Sequence, residues 1–181
     1  MTTQNHSLSS HLPAETGSWA VDLTATTAAF TVAELSGLKT VRGTVPVTGA
    51  ALDFDANGRL NSVTAELDPA GVRTGNPKRD KDLQGPTFFA AEQHPTWVFR
   101  GGRAYPFEGG WTVNGRLTVT ETVDVTLEVR PAADEPRHDD TWVLTATAEL
   151  DRRDAGLRKA PGAVIGHRIR IALTITLRRI G

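Results

Sequence analysis

From Trp19 onward, apolar and polar residues alternate with a period of two, the spacing at which an extended chain sends successive side chains to opposite faces. The pattern is clearest between Arg168 and Arg179, where Ile169, Ile171, Leu173, Ile175 and Leu177 alternate with Arg168, Arg170, Ala172, Thr174, Thr176 and Arg178. A half-buried strand of that length runs roughly 40 Å, taller than most strands of globular proteins. The same alternation predicts strands through Trp111, Val113, Gly115, Leu117 and Val119, through Val123, Val125, Leu127 and Val129, and through Trp142, Leu144, Ala146, Ala148 and Leu150. Weaker versions cover 19–35, with Phe30 and Val32 on one face, then 40–49, with Val41, Val45 and Val47, and then 60–67. Asp55-Ala56-Asn57-Gly58 reads as the turn ahead of the last of these.

Between Pro77 and Gln93 the alternation stops. Lys78 to Leu83, and then Phe88, Phe89, Ala90, Ala91 and Glu92, predict one or two short helical turns. The charged, proline-containing stretch 130–140 reads as a solvated hairpin loop. Eight or more antiparallel strands must hide their edges, which a sandwich or a closed barrel achieves. Alternating faces rich in Ala, Gly and Val, with aromatic residues at only 6%, point toward a hollow barrel, although periodicity alone leaves the sandwich open.

Composition narrows the chemistry. The 181 residues suit one domain, read here as a flexible tail over 1–16 followed by a β domain over 17–181. Lys and Arg total 20 against 21 Asp and Glu, so the electrostatic footprint of a nucleic-acid binder is missing and no nucleic-acid partner is expected. The absence of cysteine excludes disulfides, Cys-ligated metals and thiol catalysis. The polar start MTTQNHSLSSHLPAET lacks the basic-then-apolar order of an export signal, and every apolar run is too short to span a bilayer. A cytoplasmic protein that does not span the membrane is the expectation.

No nucleophile elbow, dinucleotide or phosphate loop, or HExxH motif is present. The histidines His6, His11, His94, His138 and His167 are widely spaced, so no metal site and no cofactor is expected. Acidic pairs such as Asp80 and Asp82 suit acid–base work in principle and solvated turns in general.

One constellation is more informative. Thr74-Gly75-Asn76-Pro77-Lys78-Arg79-Asp80-Lys81-Asp82-Leu83 precedes Phe88-Phe89-Ala90-Ala91 and then His94-Pro95-Thr96-Trp97-Val98-Phe99. Around it, in order, stand Trp19-Ala20-Val21-Asp22 ahead of Phe30-Thr31-Val32, then Val41-Arg42-Gly43, Gly115-Arg116-Leu117-Thr118-Val119 and Arg153-Asp154-Ala155-Gly156, with the terminal alternating strand last. Together these motifs resemble the YceI-like, polyisoprenoid-binding proteins over essentially 17–180. The resemblance implies an all-β, lipocalin-like, extended antiparallel barrel of about eight strands with a short helical insert. It also implies an apolar tunnel holding a long-chain isoprenoid or other lipid. The departures from the family pattern fall on polar positions. Ala25-Thr26 stands where His-Ser is usual, Glu34 and Asp82 each replace a His, and Thr120-Glu121 shortens a His-Gly segment. They alter head-group chemistry and leave the apolar frame intact.

The tunnel lining expected on this basis comprises Phe30, Val32, Val41, Val45, Leu67, Phe88, Phe89, Trp97 and Phe99, together with Val113, Leu117, Val125, Leu127, Leu144, Ile171 and Leu173. Burial at about 0.8 kcal/mol per methylene must exceed an association cost of roughly 4–15 kcal/mol, which favours ligands of about fifteen carbons or more. Arg79 is the expected polar anchor, its guanidinium gripping a phosphate or carbonyl beside the aromatic pair. The alternative for Arg79 is a structural ion pair with Asp80 or Asp82. Two further classes stay open: a biosynthetic enzyme cyclising or isomerising an apolar substrate with Glu34, Asp82 or His94 moving the proton, and a lipid-independent scaffold whose barrel is filled with side chains. A homodimer is equally compatible with the sequence.

Overall fold

Strands that bury one face need a partner at each edge, and nearly all of this chain's edges are paired within a single antiparallel sheet. The computed structural model describes residues 18–34, 37–133, 140–159 and 165–180. The N-terminal segment 1–16, His138 and most of the 130–140 loop lie outside them. The strands are β1 (Ser18–Val21), β2 (Thr27–Glu34), β3 (Lys39–Val45), β4 (Val47–Phe54) and β5 (Leu60–Leu67), followed by β6 (Trp97–Phe107), β7 (Gly110–Thr118), β8 (Thr122–Pro131), β9 (Thr141–Asp151) and β10 (Ile165–Ile180). They lie in the order β3-β2-β10-β9-β8-β7-β6-β5-β4 and curl into a half-barrel, with β1 also on β10.

Two expected strands are divided, and both divisions have local causes. In 19–35, the Asp22 carboxylate accepts the backbone N–H of Thr24 at 3.0 Å and its hydroxyl at 2.6 Å, which closes a 3-10 turn over Leu23–Ala25. Thr176 of β10 fills the gap, its hydroxyl donating to Ala25 O and its N–H to Thr26 Oγ1. β1 and β2 therefore sit in line along one edge of β10, opposite Leu177–Ile180 and Ile165–Thr174. In 40–49, Pro46 offers no N–H to a ladder and separates β3, paired with β2, from β4, paired with β5. The two terminal strands of the sheet are thus one bent run of chain, and that bend brings the sheet round on itself.

The predicted turn ahead of β5 forms, with Asp55 accepting the N–H groups of Asn57 and Arg59 and Gly58 at φ 73°. The insert after β5 is stitched to the free edge of β3. Asp68 N donates to Pro46 O at 3.0 Å, and Thr44 and Arg73 exchange backbone hydrogen bonds of 2.8 and 3.0 Å. Helix α1 (Pro77–Gln84) then starts on an Asn76 cap that accepts the N–H groups of Lys78 and Arg79, with Pro77 in the first turn, where a missing donor costs nothing. After it, the Phe89 ring meets Trp97, the first residue of β6, edge to face at 4.7 Å. The insert accordingly covers the end of the barrel where β5 stops and β6 starts.

The opposite end holds buried tryptophans. Trp111 shares a strand face with Leu117, Trp142 with Leu150 and Trp19 with Val21, so all three tryptophans point to the interior, and all three are buried. The rings of Trp111 and Trp142 cross at 89° with centroids 5.9 Å apart. Val113 and Leu144, expected on the wall of the hollow, are buried but do not border the cavity between the insert and these tryptophans. They stand two residues from Trp111 and Trp142 on the same faces, on the tryptophan side of the interior.

Candidate binding cavity

Between the insert and the tryptophans the strands enclose a cavity of about 450 Å³. Its sheet walls are built by the inward positions of alternating strands. Phe30 and Val32 come from β2, Val41 and Val45 from β3, and Leu67 from β5. Trp97 and Phe99 of β6, Leu117 of β7, Val125 and Leu127 of β8, and Ile171 and Leu173 of β10 complete the circuit. Phe88, Phe89 and Arg79 reach in from the insert. Glycines make room for the aromatic walls: a Cβ at Gly115 would stand 2.5 Å from Phe99 Cζ, and one at Gly43 the same distance from Phe30 Cζ.

Other wall residues went unread in the sequence although their signal was present. Ile169 and Ile175 share the β10 face of Ile171, and Val63 and Ala65 share the β5 face of Leu67. Val21, Leu52, Leu83, Val119 and Leu150 also line the space. Arg152 follows Leu150 in the same alternation, and a charged residue at an inward position was the available clue.

The polar groups on the wall are few: Thr26, Glu34, Arg79, Asp82 and Arg152. Arg152 is 3% exposed and is held by backbone carbonyls, donating from Nε to Gly166 O at 3.0 Å, from Nη2 to Ile165 O at 3.3 Å and from Nη1 to Leu157 O. Burial pushes its pKa downward. Arg79 is half-buried and forms no ion pair among the described residues. Asp80, one of its two expected partners, is buried and turned to Thr74 instead. Asp82 is exposed while lining the cavity, which puts an opening beside α1. The indole N–H of Trp97 is buried on the wall with no acceptor among the described residues. Of the three groups considered for proton transfer, Glu34 and Asp82 line the cavity and His94 does not.

Among the described residues no three His, Asp or Glu side chains cluster as metal ligands, and no helix is long and apolar enough to cross a membrane. A wall of this composition suits an apolar occupant, with charged groups confined to the region of the insert and the start of β10.

Among solved structures, BcnA of Burkholderia cenocepacia superposes with a TM-score of 0.75 at 17% identity, covering 87% of this chain and 99% of that one. The YCEI protein of Campylobacter jejuni gives 0.69 at 19% identity, covering 80% and 87%. A polyisoprenoid binding domain from Saccharophagus degradans gives 0.64 at 10% identity, covering 91% and 99%. At these identities the likeness is one of fold. No curated protein sequence matches significantly. The YceI-like domain model matches residues 19–177, nearly all of the sheet just described, and the chain therefore belongs to the YceI-like family.

Proposed function

We propose that this protein binds one long apolar molecule non-covalently in the cavity, an isoprenoid chain or a lipid of similar shape, and carries it shielded from water. The observation that carries this reading is the cavity of about 450 Å³ whose wall is apolar apart from five side chains. A methylene fills about as much space as a liquid water, about 30 Å³, so such a cavity takes about fifteen of them. At about 0.8 kcal/mol each their transfer is worth about 12 kcal/mol, comparable to the roughly 4–15 kcal/mol that association costs. A small metabolite without polar anchors falls well short of that cost. The polyisoprenoid-binding character of the Saccharophagus degradans domain supports the same class of occupant.

Arg79 is the group we assign to the head of the ligand. It lines the cavity together with the exposed Asp82, forms no ion pair among the described residues, and its five donors suit a phosphate, carboxylate or carbonyl. The other expected residues that border the cavity, Val113 and Leu144 excepted, would contact the hydrocarbon.

Native mass spectrometry of freshly purified protein tests the reading. A carrier retains the mass of co-purified lipid, and extraction into organic solvent then yields a molecule with a chain of that size. Protein that emerges only at its own mass, and that takes up no added long-chain alcohol or acid, would contradict it.

A further inference from the structure

The family resemblance implies a tunnel, yet the cavity is closed at the end away from the insert. On the β1 and β10 side its deepest wall residues are Val21 and Ile175. The next inward positions on those faces are Trp19 and Leu177, 5% and 2% exposed, and neither lines the cavity. Leu177 pairs with Trp142 across the β9–β10 ladder, and Trp142 meets Trp111 edge to face. On the β6 and β7 side the wall stops at Phe99. Its ring lies over the space left by Gly101 and Gly115, so close that a Cβ at either would collide with it, and Val113 behind it is already sealed. The Trp111–Trp142 pair, with the buried indole of Trp19 beyond Val21, makes a floor of bulky rigid side chains, since interiors packed at native density yield little.

We infer that the floor formed by Trp19, Trp111 and Trp142 is a chain-length stop, which makes the cavity selective for single hydrocarbon chains of about fifteen to twenty carbons. The inference rests on the proposed binding of an apolar chain and specifies which chains are held. A chain of that size is wholly buried with its polar end at Arg79. A longer one gains nothing from its further carbons, which remain outside the opening in water.

The test is the affinity of a homologous series of saturated fatty acids from C8 to C24, with prenyl alcohols of three and four or more isoprene units as a second series. Each buried methylene should tighten binding roughly fourfold, the transfer value expressed as a ratio. The rise should level off between C15 and C20. Val21→Trp adds an indole one step above the floor and should bring the levelling-off down by about two to four carbons. Trp111→Leu opens the floor and should move it the other way. Because Trp111→Leu removes core packing, the cavity-filling Val21→Trp carries the decision if the other variant melts too low to assay. Affinity still climbing at C24, or a plateau that Val21→Trp leaves in place, overturns the stop while the binding of apolar chains stands. Failure of every chain to bind removes the reading beneath it as well.

Discussion

The carboxylate of Asp80 accepts two hydrogen bonds from Thr74, from the backbone N–H at 2.8 Å and from the hydroxyl at 2.6 Å. This buried contact ties the first turn of α1 back onto the segment that pairs with β3, so the cover over the cavity is held from its N-terminal side. Asp80→Ala leaves the Thr74 donors without their acceptor and should cost about 1–3 kcal/mol in urea unfolding. Unchanged stability would show that the latch contributes nothing.

Arg79 stands next to this latch and takes no part in it. Arg79→Ala should therefore leave the thermal midpoint within a degree or two while weakening retention of an anionic or carbonyl-bearing lipid by about tenfold, the scale of one charge-assisted hydrogen bond. Native mass spectra of the two proteins, loaded with the same fatty acid, give the comparison. Loss of stability and retention together would assign Arg79 a structural role instead.

Gly156 occupies φ +85°, and a Cβ there would lie 2.0 Å from Thr120 Oγ1. The neighbouring Ala155 carbonyl accepts from the N–H and hydroxyl of Thr120 and from the N–H of Glu121, so the β7–β8 turn and the loop after β9 are locked at this point. Gly156→Ala should destabilise the fold by about 1–3 kcal/mol through backbone strain and the displaced threonine. Chemical denaturation measures it directly.

Asp22 is held at a pKa of about 2, first by the Thr24 hydroxyl and then by Arg178 of β10. A carboxylate with a depressed folded-state pKa lends stability above its unfolded value near 3.9 and loses it as pH falls toward the folded value. The contribution should thus be complete at neutral pH and fade between about pH 4 and pH 2. Asp22→Asn should flatten that part of the stability profile, and acid titration of the two proteins in parallel shows whether it does.

Much of the architecture is legible without coordinates because it is local. The alternation from Ile169 to Leu177 states which side chains of β10 face inward, and the β6 to β9 strands follow the same rule. Pro46 and Asp22 also announce breaks in sequence, one by lacking a donor and the other by capping a turn, although both stretches read as continuous when only apolar spacing is weighed. Arg152 was hidden for a different reason. An arginine at an inward position is tolerable only because Gly166, Ile165 and Leu157 bring their carbonyls to it, and those residues come from a later part of the chain.

Which face a residue takes follows from its own backbone, because successive side chains of an extended chain must point in opposite directions. How deep in the barrel it lies follows from pairing between distant strands, and no local pattern encodes that. Val113 and Leu117 share a face and an alternation, yet one is sealed beside Trp111 and the other borders open space. The depth at which Trp111 meets Trp142, with Trp19 buried beyond Val21, is set by how distant strands pair, and that pairing converts an expected tunnel into a pocket with a floor.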